Sequence, residues 1–310
     1  MKKITTLSRK SFIQKIGYGI ISTFLLLSIL FASSRCTPVE ESIKINAHLW
    51  VYASKFPPNW DCTPVLETVF SDLSYAGIDG LELMAVNLRN ENAVENINKL
   101  IIKYKLPVSG SSYGFGNMWD KTQHQKILND IKIIVPRLSQ VGGKTFGISV
   151  GGADHIKTEK ELDAQADILK KIIAICKENS IEANLHNHTY EVENGMHDLK
   201  GTLKRIPTIK LGPDLNWLIR AGVDPVEFIN TYGKQITYLH IRDQYKDGTW
   251  TEYVGQGVTD FPAIANALNA QNFKGQVAIE LAFPDNFTAQ NSLKEDWKKS
   301  LDYVKDTFGW

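Results

Sequence analysis

The sequence predicts an α/β protein that folds as a (β/α)8 TIM barrel, a single domain placed after an N-terminal export signal. Short apolar runs alternate with longer stretches whose apolar residues recur at helical spacing. Eight such runs are separated by roughly 25 to 40 residues, the length of a strand, a crossover helix and two loops. Eight β/α units in about 270 residues fit a closed parallel barrel better than a doubly wound sheet.

The predicted strands are the short apolar runs. They begin near Ile45, Ile78, Leu106, Lys144, Ile181, Ile209, Ile236 and Gln276. The first reads INAHLWV and is predicted to extend from Ile45 to Val51. An open sheet would normally carry a Gly-rich phosphate-binding turn after its first strand. The segment after Val51 has no such turn, which again favours the barrel.

The intervening helices have recognisable start signals. A capping residue followed by proline opens a helix, and so does a Ser or Thr residue with Glu three positions later. The predicted starts are Thr63-Pro64, Thr158 with Glu161, Asp224-Pro225 and Asp260-Phe261-Pro262. Because no Ser-rich or Pro-rich linker divides the chain, we assign residues 43–310 to one barrel.

The N-terminus has the pattern of an export signal. Basic residues are concentrated at its start, at Lys2, Lys3, Arg9 and Lys10. They precede an apolar run at residues 20–32 that is shorter than a typical membrane span. We therefore predict a signal peptide at residues 1–35 and an exported protein. Two outcomes stay open, a periplasmic protein or a lipoprotein anchored to the cell envelope through Cys36.

The charge balance argues against nucleic acid as a partner. The formal net charge is +1 at pH 7, whereas nucleic-acid binding rests on clustered Lys and Arg. The cysteines Cys36, Cys62 and Cys176 are too few and too scattered for a disulfide framework. Two buried thiols at Cys62 and Cys176 are favoured over a bridge between them.

The last four predicted strands end in potential metal ligands. They are His186, Asp214, His240 and Glu280. In a barrel these positions converge at the C-terminal mouth, and burying so much charge without a cation or a partner is costly. We therefore predict one divalent metal ion. A mixed imidazole and carboxylate set suits Mn2+, Zn2+, Co2+ or Fe2+ better than Ca2+, and Mg2+ is less favoured.

Other polar and aromatic residues lie near the same strand ends. Glu82, His188 and Glu191 are candidates for acid/base catalysis, and the alternative role for each is to support the ligands. Indole rings suit a sugar site, because they can pack against the apolar face of a pyranose. The candidates for substrate binding are Arg242, Trp50 and Trp217.

Several of these residues belong to short motifs that follow one another in a fixed order. The motifs are His186-Asn187-His188-Thr189-Tyr190-Glu191, Pro213-Asp214-Leu215-Asn216-Trp217, Leu239-His240-Ile241-Arg242-Asp243, Gly255-Gln256-Gly257 and Ile279-Glu280. Their order and spacing resemble the xylose isomerase-like barrel superfamily, in the branch of the sugar phosphate isomerases and epimerases. The resemblance implies one catalytic divalent metal, most often Mn2+, held by His186, Asp214, His240 and Glu280. It also implies that Glu280 is both ligand and base. Members of the family are often dimers or tetramers, so a homo-oligomer is compatible with the resemblance, but no interface is indicated by the sequence.

Two positions depart from the family pattern. His186 stands where many epimerases have a glutamate that also acts as a base, which puts a symmetric two-glutamate mechanism in doubt. Leu215-Asn216 replaces the usual Thr-Gly. Phosphodiester-cleaving relatives of the endonuclease IV type need a histidine three residues after Asp214. That position is Trp217 here, so this function is disfavoured.

The predicted function is a divalent-metal-dependent sugar isomerase or epimerase that removes a proton next to a carbonyl and forms an enediolate. An exported enzyme is expected to act on neutral sugars or glycosides, because phosphorylated sugars are chiefly cytoplasmic. Two alternatives stay open. One is a 3-keto-glycoside lyase or hydrolase that uses the same metal site, and the other is a sugar-binding barrel without catalytic activity.

Overall fold

The barrel consists of eight parallel strands. A computed structural model describes residues 42–114, 116–284 and 287–310. The strands are β1 Ile45–His48, β2 Gly80–Met84, β3 Val108–Tyr113, β4 Thr145–Ile148, β5 Glu182–His186, β6 Lys210–Gly212, β7 Tyr238–Ile241 and β8 Gln276–Glu280. Each predicted strand is present, and residues 43–310 form one compact unit.

The sheet closes on itself. Neighbouring strands pair in parallel from β1 to β6, and β1 also pairs with β8, which pairs with β7. Two parallel bridges, Leu211 with Ile236 and Asp214 with His240, connect β6 to β7. The predicted (β/α)8 barrel is therefore confirmed, and the last bridge brings two of the predicted ligands side by side.

Helices follow the strands along the chain. They are α1 Trp50–Ala53, α2 Leu66–Ala76, α3 Ala93–Tyr104, α4 His124–Gln140, α5 Glu159–Glu178, α6 Thr189–Arg205, α7 Leu215–Arg220, α8 Pro225–Tyr232, α9 Phe261–Ala270 and α10 Leu293–Phe308. The caps predicted at Thr158, Asp224 and Asp260 are confirmed, because each side chain accepts a backbone N–H of its helix. Thr63-Pro64 opens a 3-10 turn, so α2 begins later, at Leu66.

The first strand ends earlier than the sequence indicates. The prediction that it reaches Val51 is wrong, because the chain turns into α1 directly after Leu49. The backbone N–H groups of Tyr52 and Ala53 both donate to the Leu49 carbonyl at 3.0 Å. As a result His48, and not Val51, is the last residue of β1.

Apolar side chains between the sheet and the helices form the core, and the thiols of Cys62 and Cys176 are buried in it and free, as predicted. Strands β3 and β4 approach closely at Gly110, where an added Cβ would lie 2.1 Å from Thr145 Oγ1.

Within the described ranges, no helix is long and apolar enough to cross a membrane. The predicted signal at residues 1–35 and Cys36 lie outside these ranges.

Candidate active site

The predicted metal ligands meet at the C-terminal mouth of the barrel, because the ends of parallel strands lie at one face. His186 ends β5, Asp214 follows β6, His240 lies in β7 and Glu280 ends β8. Ligand atoms of His186, Asp214 and His240 all lie within 4.8 Å of one another. Glu280 joins them through its Oε2 atom, which lies 2.8 Å from His240 Nδ1. All four residues are buried.

His240 lies between two carboxylates. Its Nε2 atom is 2.7 Å from Glu82 Oε2, on the opposite side from its contact with Glu280. Although burial opposes the charge, the carboxylates of Glu82 and Glu280 raise the pKa of His240 to about 10. Burial lowers the pKa of His186 well below its usual value, so this ring is neutral. A neutral imidazole is the form that binds a metal.

Arg242 connects the two carboxylates of the cluster. Its Nε atom lies 3.0 Å from Asp214 Oδ2, and its Nη2 atom makes a short contact with Glu280 Oε1. The guanidinium therefore compensates the negative charge at the centre of the mouth. Asp214 Oδ1 accepts the backbone N–H groups of Asn216 and Trp217, which fixes the carboxylate at the start of α7.

The residues present fit a divalent cation. Asp214 Oδ2 and His240 Nδ1 are fully buried and have charged neighbours, Arg242 and Glu280, but neither makes a well-aligned hydrogen bond with the described residues. Buried polar atoms without such a bond are rare, and a bound cation would satisfy both. Together with His186 and Glu280 they supply two imidazoles and two carboxylates, the donor types that suit Mn2+, Zn2+, Co2+ and Fe2+.

His48, which the sequence pattern did not indicate, lies at the same mouth. Its Nε2 atom is 2.8 Å from Ser112 Oγ, and its Nδ1 atom is 3.4 Å from Glu280 Oε2. The ring also lies 5.1 Å from that of His240. Functional residues of a barrel lie at the C-terminal ends of its strands, so His48 would have been predicted if the first strand had been predicted to end there.

A cavity of about 400 Å3 lies directly over this cluster. His48, His186, His188, His240, Arg242 and Glu280 form its floor and polar side. The aromatic walls are Trp50, Trp60, Tyr113, Tyr190, Trp217 and Trp250. The two tryptophans proposed as substrate contacts, Trp50 and Trp217, thus line the cavity, whereas Trp60 and Trp250 come from loops whose position the sequence did not indicate.

Two arginines contact the ring of Trp250. Arg220 Cζ lies 3.5 Å from its ring centroid and Arg242 Cζ lies 4.8 Å from it. Trp217 meets the same ring edge to face, with the centroids 5.3 Å apart. Stacked cations and an edge contact fix the orientation of an indole ring. This wall of the cavity is therefore preorganised.

His188 is the end of a hydrogen-bonded chain that begins at a buried carboxylate. Ser149 Oγ donates to Glu191 Oε1 at 2.5 Å and lies 3.0 Å from the Tyr190 hydroxyl. The Tyr190 hydroxyl lies 3.0 Å from His188 Nδ1. When Glu191 is ionised, three protons serve these three contacts if the neutral His188 ring carries its proton on Nδ1. In that state His188 Nε2 is a hydrogen-bond acceptor.

Local backbone geometry places Tyr190 and Glu191 in this chain. They lie in the first turn of α6, where Glu191 Oε2 accepts the backbone N–H of His188 at 2.7 Å. The helix is interrupted after this turn, because Asn194, Gly195 and Met196 all have left-handed φ values between 51° and 66°. The turn is thus a separate short element fixed to β4 through Ser149.

The acid/base candidates fall into two groups. Glu280 and His188 line the cavity, where they can reach a bound molecule. Glu82 and Glu191 are buried behind its wall and contact His240 and Ser149 instead. Burial raises the pKa of Glu191 to about 8, while the hydrogen bond from Ser149 opposes this. Glu82 and Glu191 therefore have the positions of residues that support the metal ligands, the alternative role considered for them from the sequence.

Comparisons with known proteins agree with this architecture. The model of the xylose isomerase-like TIM barrel family matches residues 70–307. No protein with a curated description matches the chain.

Three solved structures illustrate the similarity. The 3-keto-D-glucoside 4-epimerase YcjR from E. coli is 18% identical, with a TM-score of 0.67 over 86% of this chain and 100% of that one. An L-ribulose 3-epimerase is 17% identical, with a TM-score of 0.71 over 86% and 95%. The IolI protein, solved with a zinc atom, is 17% identical, with a TM-score of 0.67 over 86% and 100%. At these identities the likeness shows the fold alone, but the family match spans most of the chain. This protein therefore belongs to the xylose isomerase-like TIM barrel family.

Proposed function

We propose that the protein is a divalent-metal-dependent sugar isomerase or epimerase that moves a proton next to a carbonyl through an enediolate. The observation that carries the proposal is the cluster of His186, Asp214, His240 and Glu280 on the floor of an aromatic-walled cavity. Similar folds in epimerases of ribulose and of 3-keto-glucoside support the same chemistry here.

The cluster holds the cofactor in this proposal. His186, Asp214, His240 and Glu280 would bind one divalent metal, and Mn2+ is the ion we favour. A metal at that position would polarise the substrate carbonyl and acidify the neighbouring C–H bond. Glu82 orients His240 from behind, as a carboxylate commonly does for a ligating histidine. Arg242 lies beside the same carboxylates and is placed to donate to a substrate oxygen.

Two residues are placed to move the proton. Glu280 faces the cavity from β8, and His188 faces it from the loop after β5. The chain from Glu191 through Ser149 and Tyr190 leaves His188 Nε2 able to accept a proton from substrate. If one residue removes the proton and the other returns it, an imidazole and a carboxylate replace the two glutamates of the common mechanism.

The cavity favours an uncharged substrate. Among the residues described, its wall contains no lysine, and its arginine, Arg242, already contacts two carboxylates. Indole rings from Trp50, Trp217 and Trp250 offer flat apolar faces that suit a pyranose. A neutral sugar also agrees with the export signal that we propose at residues 1–35, which would deliver the enzyme to the periplasm or, through Cys36, to the cell envelope.

A second candidate function uses the same proton abstraction. If the carbon beside the carbanion bears a leaving group, the enzyme would act on 3-keto-glycosides as a lyase or, with water, as a hydrolase. A further groove adjoins the cavity at Trp60 and Tyr113, which line both spaces, and such a group would occupy it.

Proton NMR in D2O tests the proposal. The Mn2+-treated protein is incubated with common aldoses and ketoses and with a 3-keto-glucoside, and the metal is removed before spectra are recorded. Deuterium beside the carbonyl of an intact sugar is the expected result, and release of the aglycone would select the lyase or hydrolase instead. His240→Asn should abolish the reaction, whereas His197→Asn, a change on α6 away from the cavity, should not. Binding of a sugar without any reaction would instead indicate a sugar-binding barrel without catalytic activity.

A further inference from the structure

We propose that the groove beside the cavity is a second sugar subsite, which binds a neutral saccharide unit linked to the ring held over the metal cluster. The proposal deepens the proposed function, since it rests on a sugar as the substrate. The groove lies between the loop after β1 and the first half of α4 and measures about 830 Å3, against about 400 Å3 for the cavity. A single ring would fill only a small part of this joint space.

The groove adjoins the cavity. Trp60 and Tyr113 line both spaces, and in this proposal the bound molecule extends past these side chains from one space into the other. The rings of Trp60 and Trp50 lie 6.3 Å apart and form one aromatic edge along the passage. Trp60 also has a φ of 50°, in the left-handed region that bulky residues rarely adopt. Its backbone conformation is costly, and such positions cluster at ligand-binding sites.

The polar groups of the groove suit hydroxyl groups. Asn59, Asn90 and Asn129 line it and are exposed, and each amide offers both donors and acceptors to a sugar hydroxyl. A pyranose has polar hydroxyl groups and an apolar face, and these match the amides and the aromatic side chains of the groove. This arrangement distinguishes the groove from an apolar docking surface.

Two charged residues of the groove, Arg89 and Asp130, compensate each other. Arg89 donates to both oxygens of Asp130, at 2.9 and 2.8 Å. Asp61 accepts the backbone N–H of Thr63 at 3.0 Å. The remaining basic residue of the lining, Lys126, is exposed and gives no buried site for a phosphate. A neutral unit therefore fits the groove better than a phosphorylated or acidic one.

The test compares one-ring and two-ring sugars by isothermal titration calorimetry on the Mn2+-loaded full chain. The probes are methyl β-D-glucoside, cellobiose and maltose. We expect at least one disaccharide to bind about tenfold more tightly than the monosaccharide glycoside, and Trp60→Ala to remove this gain, while Trp60→Phe retains most of it. Binding is read directly, so the result does not depend on turnover.

A second variant keeps the test valid if the Trp60 variants misfold. Asn129 lies in the first half of α4, on the catalytic face, and Asn129→Phe would fill the groove from the surface of a helix. Asn269→Phe is the matched control, because Asn269 lies at the end of α9 and thus at the opposite face of the barrel. Asn129→Phe should remove the gain for the disaccharide, and Asn269→Phe should not.

The outcomes separate the subsite from the proposed function. Equal binding of one-ring and two-ring sugars, a gain that survives both groove variants, or no binding of any probe would overturn the subsite. Deuterium exchange on monosaccharides in D2O without such a gain would leave the proposed function intact and refute the subsite alone. A gain that depends on Trp60 and Asn129, without exchange on any sugar, would support the subsite while the proposed function fails.

Discussion

Removing one oxygen atom, by Ser149→Ala, is predicted to change the tautomer of His188. Ser149 Oγ lies 2.5 Å from Glu191 Oε1, 3.0 Å from the Tyr190 hydroxyl and 3.3 Å from His188 Nδ1. Without it, the Tyr190 hydroxyl no longer donates to Ser149 and is released to donate to His188 Nδ1. At a pH above 8, where Glu191 is ionised in the parent protein, we expect the imidazole proton to move to Nε2, so that His188 no longer accepts a proton there.

The size of the effect follows from the contacts that are lost. A buried hydrogen bond to a charged group contributes about 1.5–3 kcal/mol, so the free energy of unfolding should fall by about that amount. A positioned general base contributes roughly 10²–10⁴-fold to a rate, so the proton-transfer rate should fall by at least about 100-fold.

Ser111→Ala is the matched control for this prediction. Ser111 is also a buried serine of the barrel, but its Oγ makes no hydrogen bond with the described residues. Its replacement should leave both the rate and the tautomer unchanged and should not lower stability. Denaturant unfolding measures the stability, and nitrogen-15 NMR of the imidazole reports the tautomer. An unchanged His188 spectrum in Ser149→Ala would refute the reasoning, whatever happens to the rate.

Three further predictions concern the metal cluster and the barrel. The folded-state pKa of His240, about 10, exceeds the ordinary value of 6.5. Its charge therefore stabilises the metal-free fold fully below pH 6.5, and this contribution is lost as the pH rises through 10. Because a ligating imidazole must be neutral, Mn2+ affinity measured by calorimetry should rise about tenfold per pH unit in this window, and a flat profile would contradict the assignment. Glu82→Ala removes one partner of the buried ion pair and should lower the free energy of unfolding by about 3–5 kcal/mol, whereas a loss below about 1 kcal/mol would mean that the pair is not formed. Gly110→Ala brings a Cβ to 2.1 Å from Thr145 Oγ1 and should cost about 1–3 kcal/mol in the same assay. Gly114→Ala, whose added Cβ has no atom of the described residues within 4 Å apart from its chain neighbours, should cost less than about 0.5 kcal/mol.

The arrangement of the metal cluster could be predicted because it depends on the backbone. Parallel strands carry their C-terminal residues to one face, so four polar residues at four strand ends had to converge. The bridge between Asp214 and His240 is the direct expression of this rule. His48 escaped the same rule because INAHLWV is apolar beyond the true end of β1, and only the turn at Leu49 marks the boundary.

The roles of Glu82 and Glu191 could not be predicted, because they depend on side-chain direction. Glu82 lies in the middle of β2 and Glu191 in the first turn of α6, and their side chains contact His240 and Ser149 behind the cavity wall. The loop tryptophans Trp60 and Trp250 were missed for a related reason. Loop residues carry no periodic pattern, so their position is decided by tertiary contacts such as the two arginines around Trp250.

The dependence of the reaction on the metal can be measured by deuterium exchange as a function of bound Mn2+. The protein is stripped with a chelator, Mn2+ is returned in steps, and exchange from D2O into a reactive sugar is followed by NMR while bound metal is counted. We predict no exchange in the stripped protein and a linear rise that stops at one Mn2+ for each chain. Full exchange without metal, or none with one Mn2+ bound at His186, Asp214, His240 and Glu280, would contradict it.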